Sequence, residues 1–169
     1  MRQSDLHTGF LKQVNEHKGI IYKVCSVYAE NESDRKDLYQ EIVIQAWKGF
    51  EKFRGEAKFS TWLYQVAINT AIAGFRKMKR SPVIFTDDDL SDVAVTQKPN
   101  GETEETERLY SAINRLNEIE KAIVVLYLDG KSYEEMEVIT GITNGALRVK
   151  MTRIKEKLRQ LTKDKSNGT

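Results

Sequence analysis

The run from Phe53 to Arg80, FRGEAKFSTWLYQVAINTAIAGFRKMKR, sets Phe59, Trp62, Tyr64 and Phe75 among Arg54, Lys58, Arg76, Lys77, Lys79 and Arg80, against one acid, Glu56. Aromatic faces stack on unpaired bases and cations track a phosphate backbone, so this mixture suits single-stranded nucleic acid. A second signal lies downstream in SYEEMEVITGITNGALRVKMTRIKEKL, residues 132–158. Ser132 is placed to cap a short helix holding Tyr133, Met136 and Ile139. Gly141 stands where a tight turn needs positive φ, and Ile142 can plug the angle between helices. Thr143 can cap a longer helix with Ala146, Leu147, Val149, Met151, Ile154 and Leu158. This order is the anatomy of a helix-turn-helix. From Thr143 to Lys163 there are seven bases (Arg148, Lys150, Arg153, Lys155, Lys157, Arg159 and Lys163) and one acid, Glu156. Such a helix can enter a major groove and contact the flanking phosphates. Thr143, Asn144, Arg148 and Thr152 are best placed for base edges. The plain alternative for the charges alone is a solvated basic face.

Other chemistries find less support. His7 and His17 lie ten apart without ligand-spaced acids, and there is no phosphate-binding glycine loop. Cys25 is the single cysteine, which excludes an intrachain disulfide and a cysteine-based zinc site; it falls on the apolar side of its helix and reads as core. The triple Asp87-Asp88-Asp89 sits in an acidic stretch and reads as solvated linker, so no metal and no cofactor is expected. Nothing points to catalysis. Asp37, Gln40 and Glu41 fall within one helical turn and suit basic residues of a partner, although a solvated acidic face has the same pattern. Phe75 reads as a packing residue. For Trp62 two readings stand side by side, core packing and a wedge at a duplex edge.

Helices must position these groups. Phe10, Val14, Ile21, Val24 and Tyr28 fall at helical spacing, which predicts one amphipathic helix over about 5–29. Ser33 can cap a second helix carrying Leu38, Ile42, Ala46 and Phe50 on one face, and Ser60 a third that runs to Arg80. Further helices are expected at 104–116, 118–128, 132–139 and 143–163. No strand-like alternation persists, so the fold class is all-α. Pro82 and Pro99-Asn-Gly101 bound an acidic, aperiodic segment that reads as a flexible linker. Residues 1–81 and 104–169 then form two small helical domains joined by a linker over 82–103. Net charge is only +2, but residues 81–107 hold eight acids and one base, net −7, so the other 142 residues sum to +9. An acidic stretch masks a basic protein. No apolar run approaches the roughly 18 residues of a membrane span, and MRQSDLHTGF has no signal-peptide core, so a cytoplasmic protein is expected.

Taken in order, these motifs resemble the sigma-70 family of bacterial RNA polymerase sigma factors, in its small extracytoplasmic-function (ECF) group. Asp37-Leu38-Tyr39-Gln40-Glu41 followed by Trp47 is similar to the family's D-L-x-Q-E…W signature. Phe53-Arg54-Gly55-Glu56 and Phe59-Ser60-Thr61-Trp62-Leu63, with Asn69, are similar to its F-R-G-E…F-x-T-W-L…N signature, and residues 132–158 resemble its C-terminal helix-turn-helix. The resemblance implies a transcription initiation factor whose partners are core RNA polymerase, promoter DNA and an anti-sigma factor. It implies core-polymerase binding by Asp37, Leu38, Gln40, Glu41, Ile44 and Trp47. It assigns recognition and melting of the −10 element to Arg54, Lys58, Phe59, Ser60, Thr61, Trp62, Tyr64, Gln65, Asn69, Arg76, Lys77 and Arg80. It assigns the −35 element to Ser132, Thr143, Asn144, Ala146, Leu147, Arg148, Lys150, Met151, Thr152, Arg153 and Lys155. The chain departs from the family at Val43, at Glu137, where a small residue is usual, and along Val149–Ile154, so base preferences do not carry over. Two other classes fit parts of the pattern: a helix-turn-helix regulator that binds duplex operator without polymerase, and a helical adaptor that binds no DNA. The aromatic-basic run speaks against the adaptor.

Overall fold

The computed structural model describes residues 2–80 and 103–166, and the side chains of residues 2–77 and 103–163. The expected linker, its two prolines, Asp87-Asp88-Asp89 and the side chain of Arg80 lie outside the described residues. Among the described residues all regular structure is helical, in eight helices.

Local chemistry explains most boundaries. The single helix expected over 5–29 is two, α1 (Gln3–Glu16) and α2 (Lys18–Tyr28). His17 leaves the helical region at φ −115°, ψ 14°, and its Nδ1 lies 2.9 Å from the Gln13 carbonyl oxygen. The same carbonyl accepts the His17 backbone N–H at 3.1 Å, so the imidazole folds back on the last turn of α1. Helix α3 (Glu32–Phe50) is capped by Asn31, not Ser33: the Asn31 side chain accepts the Asp34 N–H at 2.8 Å. Helix α4 (Phe59–Arg80) begins one residue before Ser60, which therefore lies in its first turn instead of capping it. Thr103 caps α5 (Glu104–Ile113), which ends earlier than expected; a tight turn then returns Leu116 to the core. Reciprocal capping boxes, Asn117 with Glu120 and Ser132 with Glu135, start α6 (Glu118–Leu128) and α7 (Tyr133–Thr140). Gly141 ends α7 at φ 75°, in the left-handed region. Thr143 accepts the Ala146 N–H at 3.3 Å at the start of α8 (Asn144–Ser166).

In the N-terminal half α2, α3 and α4 pack on one another, with α1 against α2 and α3. In the C-terminal half α5, α6 and α7 pack around α8. The apolar stripes meet as their periods require: Phe10, Val14, Ile21, Val24, Ile42, Ala46 and Leu63 are buried in one half, Ile113, Ile123, Leu126, Met136, Leu147 and Ile154 in the other. Each fully buried large aliphatic contributes about 1.5–3 kcal/mol.

The halves also pack together. Helix α2 lies against α6, and α4 against α6 and α7, so the two cores form one continuous buried cluster. Polar contacts line the seam. The Asp129 carboxylate accepts from both Lys23 Nζ and the Tyr64 hydroxyl. Tyr28 Oη donates to the Glu118 carbonyl at 2.5 Å, and Gln65 Nε2 to the Val138 carbonyl at 2.9 Å. Lys121 is 2% exposed, with its ammonium 4.9 Å from the Phe75 ring centre and 5.8 Å from that of Tyr28. A cation between two ring faces recovers part of what its desolvation costs.

Candidate nucleic-acid interface

Three surfaces carry the residues singled out by sequence. On α3, Asp37, Gln40, Glu41 and Ile44 are exposed, while Leu38 and Trp47 are half-buried. Trp47 packs its ring on Phe10 at 5.1 Å and edge-on to His7 at 5.5 Å, which roots the acidic face in the core. Glu41 accepts from Gln45 Nε2 at 2.9 Å, so its carboxylate is held along the helix surface. The face borders a groove of about 1200 Å³ between α3 and α4, reached also by Asn69, Lys77 and Lys121.

The second surface surrounds the start of α4. Trp62 lies 5.1 Å from Phe53 and 5.5 Å from Phe59, and Phe59 is buried. Trp62 is thus neither wholly core nor free; its indole is the half-buried edge of an aromatic cluster. Gly49 makes room for it, since a Cβ there would stand 3.2 Å from Trp62 Cζ2. Ser60 and Thr61 are half-buried beside it, and Arg54, Lys58, Asn69, Arg76 and Lys77 are exposed. Tyr64 and Gln65 are placed differently: both face the C-terminal half, Tyr64 fully buried on Asp129 and Gln65 bonded to Val138. Arg76 faces it too, 3.4 Å from Glu118. Burial raises the Tyr64 hydroxyl well above the ordinary range, and the hydrogen bond to Asp129 and its charge add to this. Burial alone would raise the Asp129 carboxyl, yet hydrogen bonds from Lys23 and Tyr64 and the charges of Lys23 and Lys131 hold it below the usual value.

The third surface is the helix-turn-helix of α7 and α8. Leu147 and Met151, expected among the DNA contacts, are 0% and 3% exposed and face the core with Ile154. They anchor α8 instead of reaching outward, because they share its apolar stripe. Arg148, Lys150, Thr152, Arg153 and Lys155 are left on the exposed face, with Thr143 at its start and Asn144 and Ala146 half-buried there. Lys155 lies over the Tyr127 ring at 4.8 Å. Glu137, where the resemblance implies a small residue, is exposed and reaches across the turn: its Oε2 accepts the Asn144 N–H at 3.1 Å. A carboxylate on the first amides of a helix is favourable. Sequence reasoning passed over Gly49, Asp129 and Glu134. Asp129-Gly130 looks like an ordinary turn, and only the fold brings it to Tyr64.

Residues 13–81 match the family described as Sigma-70 region 2, and residues 106–158 that described as Sigma-70, region 4. The chain is 32% identical over 137 residues to the ECF RNA polymerase sigma-E factor of Haemophilus influenzae, spanning 73% of this chain and 72% of that one. With the sigma-E factor of Escherichia coli K12 it shares 33% over 149 residues, 80% of this chain and 78% of the relative. This chain belongs to the ECF group of the sigma-70 family.

Solved structures agree on the fold. CnrH in complex with the cytosolic domain of CnrY superposes with a TM-score of 0.67 at 19% identity, covering 94% of this chain and 90% of that one. The sigma factor RpoE of Bartonella quintana, in complex with the anti-sigma factor NepR, gives the same score and identity, with 94% and 97% coverage. Family membership favours the sigma factor over the polymerase-free regulator. Among the described residues of this sigma factor no helix is long and apolar enough to cross a membrane, and no group of three or more His, Cys, Asp or Glu is placed to hold a metal ion.

Proposed function

We propose that this sigma factor binds core RNA polymerase through the exposed face of α3 and directs it to promoters with two DNA-reading surfaces, acting in the cytoplasm. Asp37, Gln40 and Glu41 offer acceptors to a basic surface of the polymerase, with Leu38, Ile44 and Trp47 as the apolar footing. The start of α4 reads and opens the −10 element. Melting needs a base out of the stack, which costs a few kcal/mol. Stacking on an aromatic face returns about 1–3 kcal/mol per base. Trp62 and the Phe53–Phe59 cluster supply that face, and Arg54, Lys58, Asn69 and Lys77 supply exposed donors. Tyr64, Gln65 and Arg76 now contact the C-terminal half, so their share in DNA contact requires the seam to part. The exposed face of α8 reads the −35 element.

The observation that carries this reading is the position of Trp62. It sits half-buried at the edge of an aromatic cluster, on the helix that also carries exposed Asn69 and Lys77 and that packs on the helix of the acidic face. A partner of the anti-sigma kind is part of the proposal, because a solved structure of this fold, the sigma factor RpoE of Bartonella quintana, is in complex with the anti-sigma factor NepR.

The test is transcription reconstituted from purified core polymerase and a genomic promoter library. Start sites that depend on this protein are expected, and their absence refutes the reading. Trp62→Ala and Lys58→Ala should impair open-complex formation while core binding persists; Glu41→Arg should weaken core binding first. Equal loss of both activities in all three variants would assign these residues to folding.

A further inference from the structure

At the head of α8 the side chains form one connected chain. Glu134 Oε1 accepts from Asn144 Nδ2 at 3.2 Å, and Asn144 Oδ1 accepts from Arg148 Nε at 2.7 Å. The Arg148 guanidinium then lies over the Tyr133 ring, 4.5 Å from its centre. The Asn144 N–H is separately taken by Glu137 at 3.1 Å. Three of these residues come from α7 and its first turn, and two from α8.

The consequence for DNA reading is specific. An asparagine reads adenine with its carbonyl and amino groups together. Here one Nδ2 hydrogen goes to Glu134 and one Oδ1 lone pair to Arg148, so the plane of the Asn144 amide is set by protein partners and not by a base. Arg148 differs. Its Nε is used by Asn144, while its two Nη atoms take no bond among the described residues. Clamped below by Tyr133 and at the side by Asn144, the guanidinium has lost much of the rotamer freedom that makes a free arginine costly to order. The planar pair of Nη donors fits the O6 and N7 acceptors of guanine in a major groove. The cost of the arrangement is electrostatic: Glu134 and Glu137 put two carboxylates beside a surface meant for a polyanion. An exposed acid at that place is unfavourable for phosphate binding unless it does other work, and its hydrogen bond to Asn144 is such work.

We propose that Glu134 and Asn144 are positioning residues that set the Arg148 guanidinium to read a guanine of the −35 element, and that Asn144 does not itself read a base. This rests on the −35 reading of α8 given above.

The test uses the full-length protein with core polymerase on a promoter library randomised across the −35 element, with bound sequences counted. Arg148→Ala should lower a guanine preference at one position by about tenfold, the range of a lost bidentate contact. Asn144→Ala and Glu134→Ala should each relax that same position several-fold and leave the others unchanged. Glu134→Gln retains an acceptor and should keep the preference. In the Arg148→Ala background, Glu134→Ala should add no further relaxation. Two results overturn the inference: Asn144→Ala relaxing an adenine preference at a separate position, or Glu134→Ala weakening all sequences equally with the base profile unchanged. If the wild-type chain supports transcription but enriches no −35 sequence, the reading of α8 itself fails, and the inference falls with it.

Discussion

Replacing Asp129 with alanine should loosen the seam between the two halves, and the cost can be built from its two partners. Lys23 is 54% exposed, so its ion pair contributes only about 0–1 kcal/mol. Tyr64 is fully buried, and without the carboxylate its hydroxyl is stranded, at about 1–3 kcal/mol. Asp129→Ala therefore costs about 2 kcal/mol, which for a chain of this size lowers Tm by about 4–8 °C. Tyr64→Phe removes the hydroxyl and its need for a partner, so it should cost only about 1 kcal/mol. The double variant should cost little more than Tyr64→Phe plus the lysine pair, leaving a coupling energy near 1 kcal/mol. Calorimetry or circular dichroism of the four proteins closes the cycle. Strict additivity would refute the Tyr64–Asp129 contact as the source of the effect. Titration supplies an independent arm. The folded Asp129 value is depressed below the unfolded value of about 3.9, so its stabilisation is complete above that value and is lost as pH falls through the folded one. The Tm gap between wild type and Asp129→Ala should be constant from about pH 5 to 8 and close in stronger acid. A gap unchanged in strong acid would exclude the carboxylate as its cause.

Gly141→Ala forces alanine to φ 75° where no neighbour would touch the new Cβ, so strain alone should cost about 1–2 kcal/mol in urea unfolding, and Gly141→Asn less. Gly49→Ala should shift Trp62 by a few tenths of an ångström, visible as a change in tryptophan emission, with a packing cost of about 1–3 kcal/mol offset by about 1 kcal/mol of helix propensity. Burial pushes the Cys25 thiol up to about 11 and leaves it 2% exposed, so thiol reagents at pH 8 should label it only on unfolding. Rapid labelling of the folded protein would show that α2 opens locally.

What could be read from sequence was governed by near neighbours along the chain. The helix-turn-helix was legible because its boundaries are set within four residues: Ser132 with Glu135, Gly141 at its own φ, Thr143 with Ala146. The stripes of α1 to α4 were legible because a helix repeats every 3.6 residues whatever it packs against. Starts failed where two capping residues competed. Asn31 and Ser33 both precede a run of acids, and the choice falls to the one whose side chain meets the Asp34 amide. The break at His17 was hidden because its apolar neighbours keep helical spacing across it.

The seam was not legible at all, since its contacts join residues far apart: Tyr64 and Asp129 are 65 positions apart, and Lys23 and Asp129 are 106 apart. The aromatic-basic composition of α4 is the same whether a given residue faces a base or a neighbouring helix. Trp62 and Tyr64, two residues apart, show the limit. They point about 200° apart on the helix, one to the open edge of an aromatic cluster and the other into the second half of the protein. Composition assigns both to nucleic acid; only the packing of α4 against α6 and α7 separates them. Glu137 is the converse case. Against the family pattern it looks like a defect in helix packing, because a bulky charge replaces a small residue. Its exposed carboxylate takes the Asn144 N–H across the turn, an electrostatic contact on the first turn of α8. The same stroke fixes the backbone of the residue that holds Arg148. Glu137 thus adds order at the head of α8, where Asn144 and Arg148 meet.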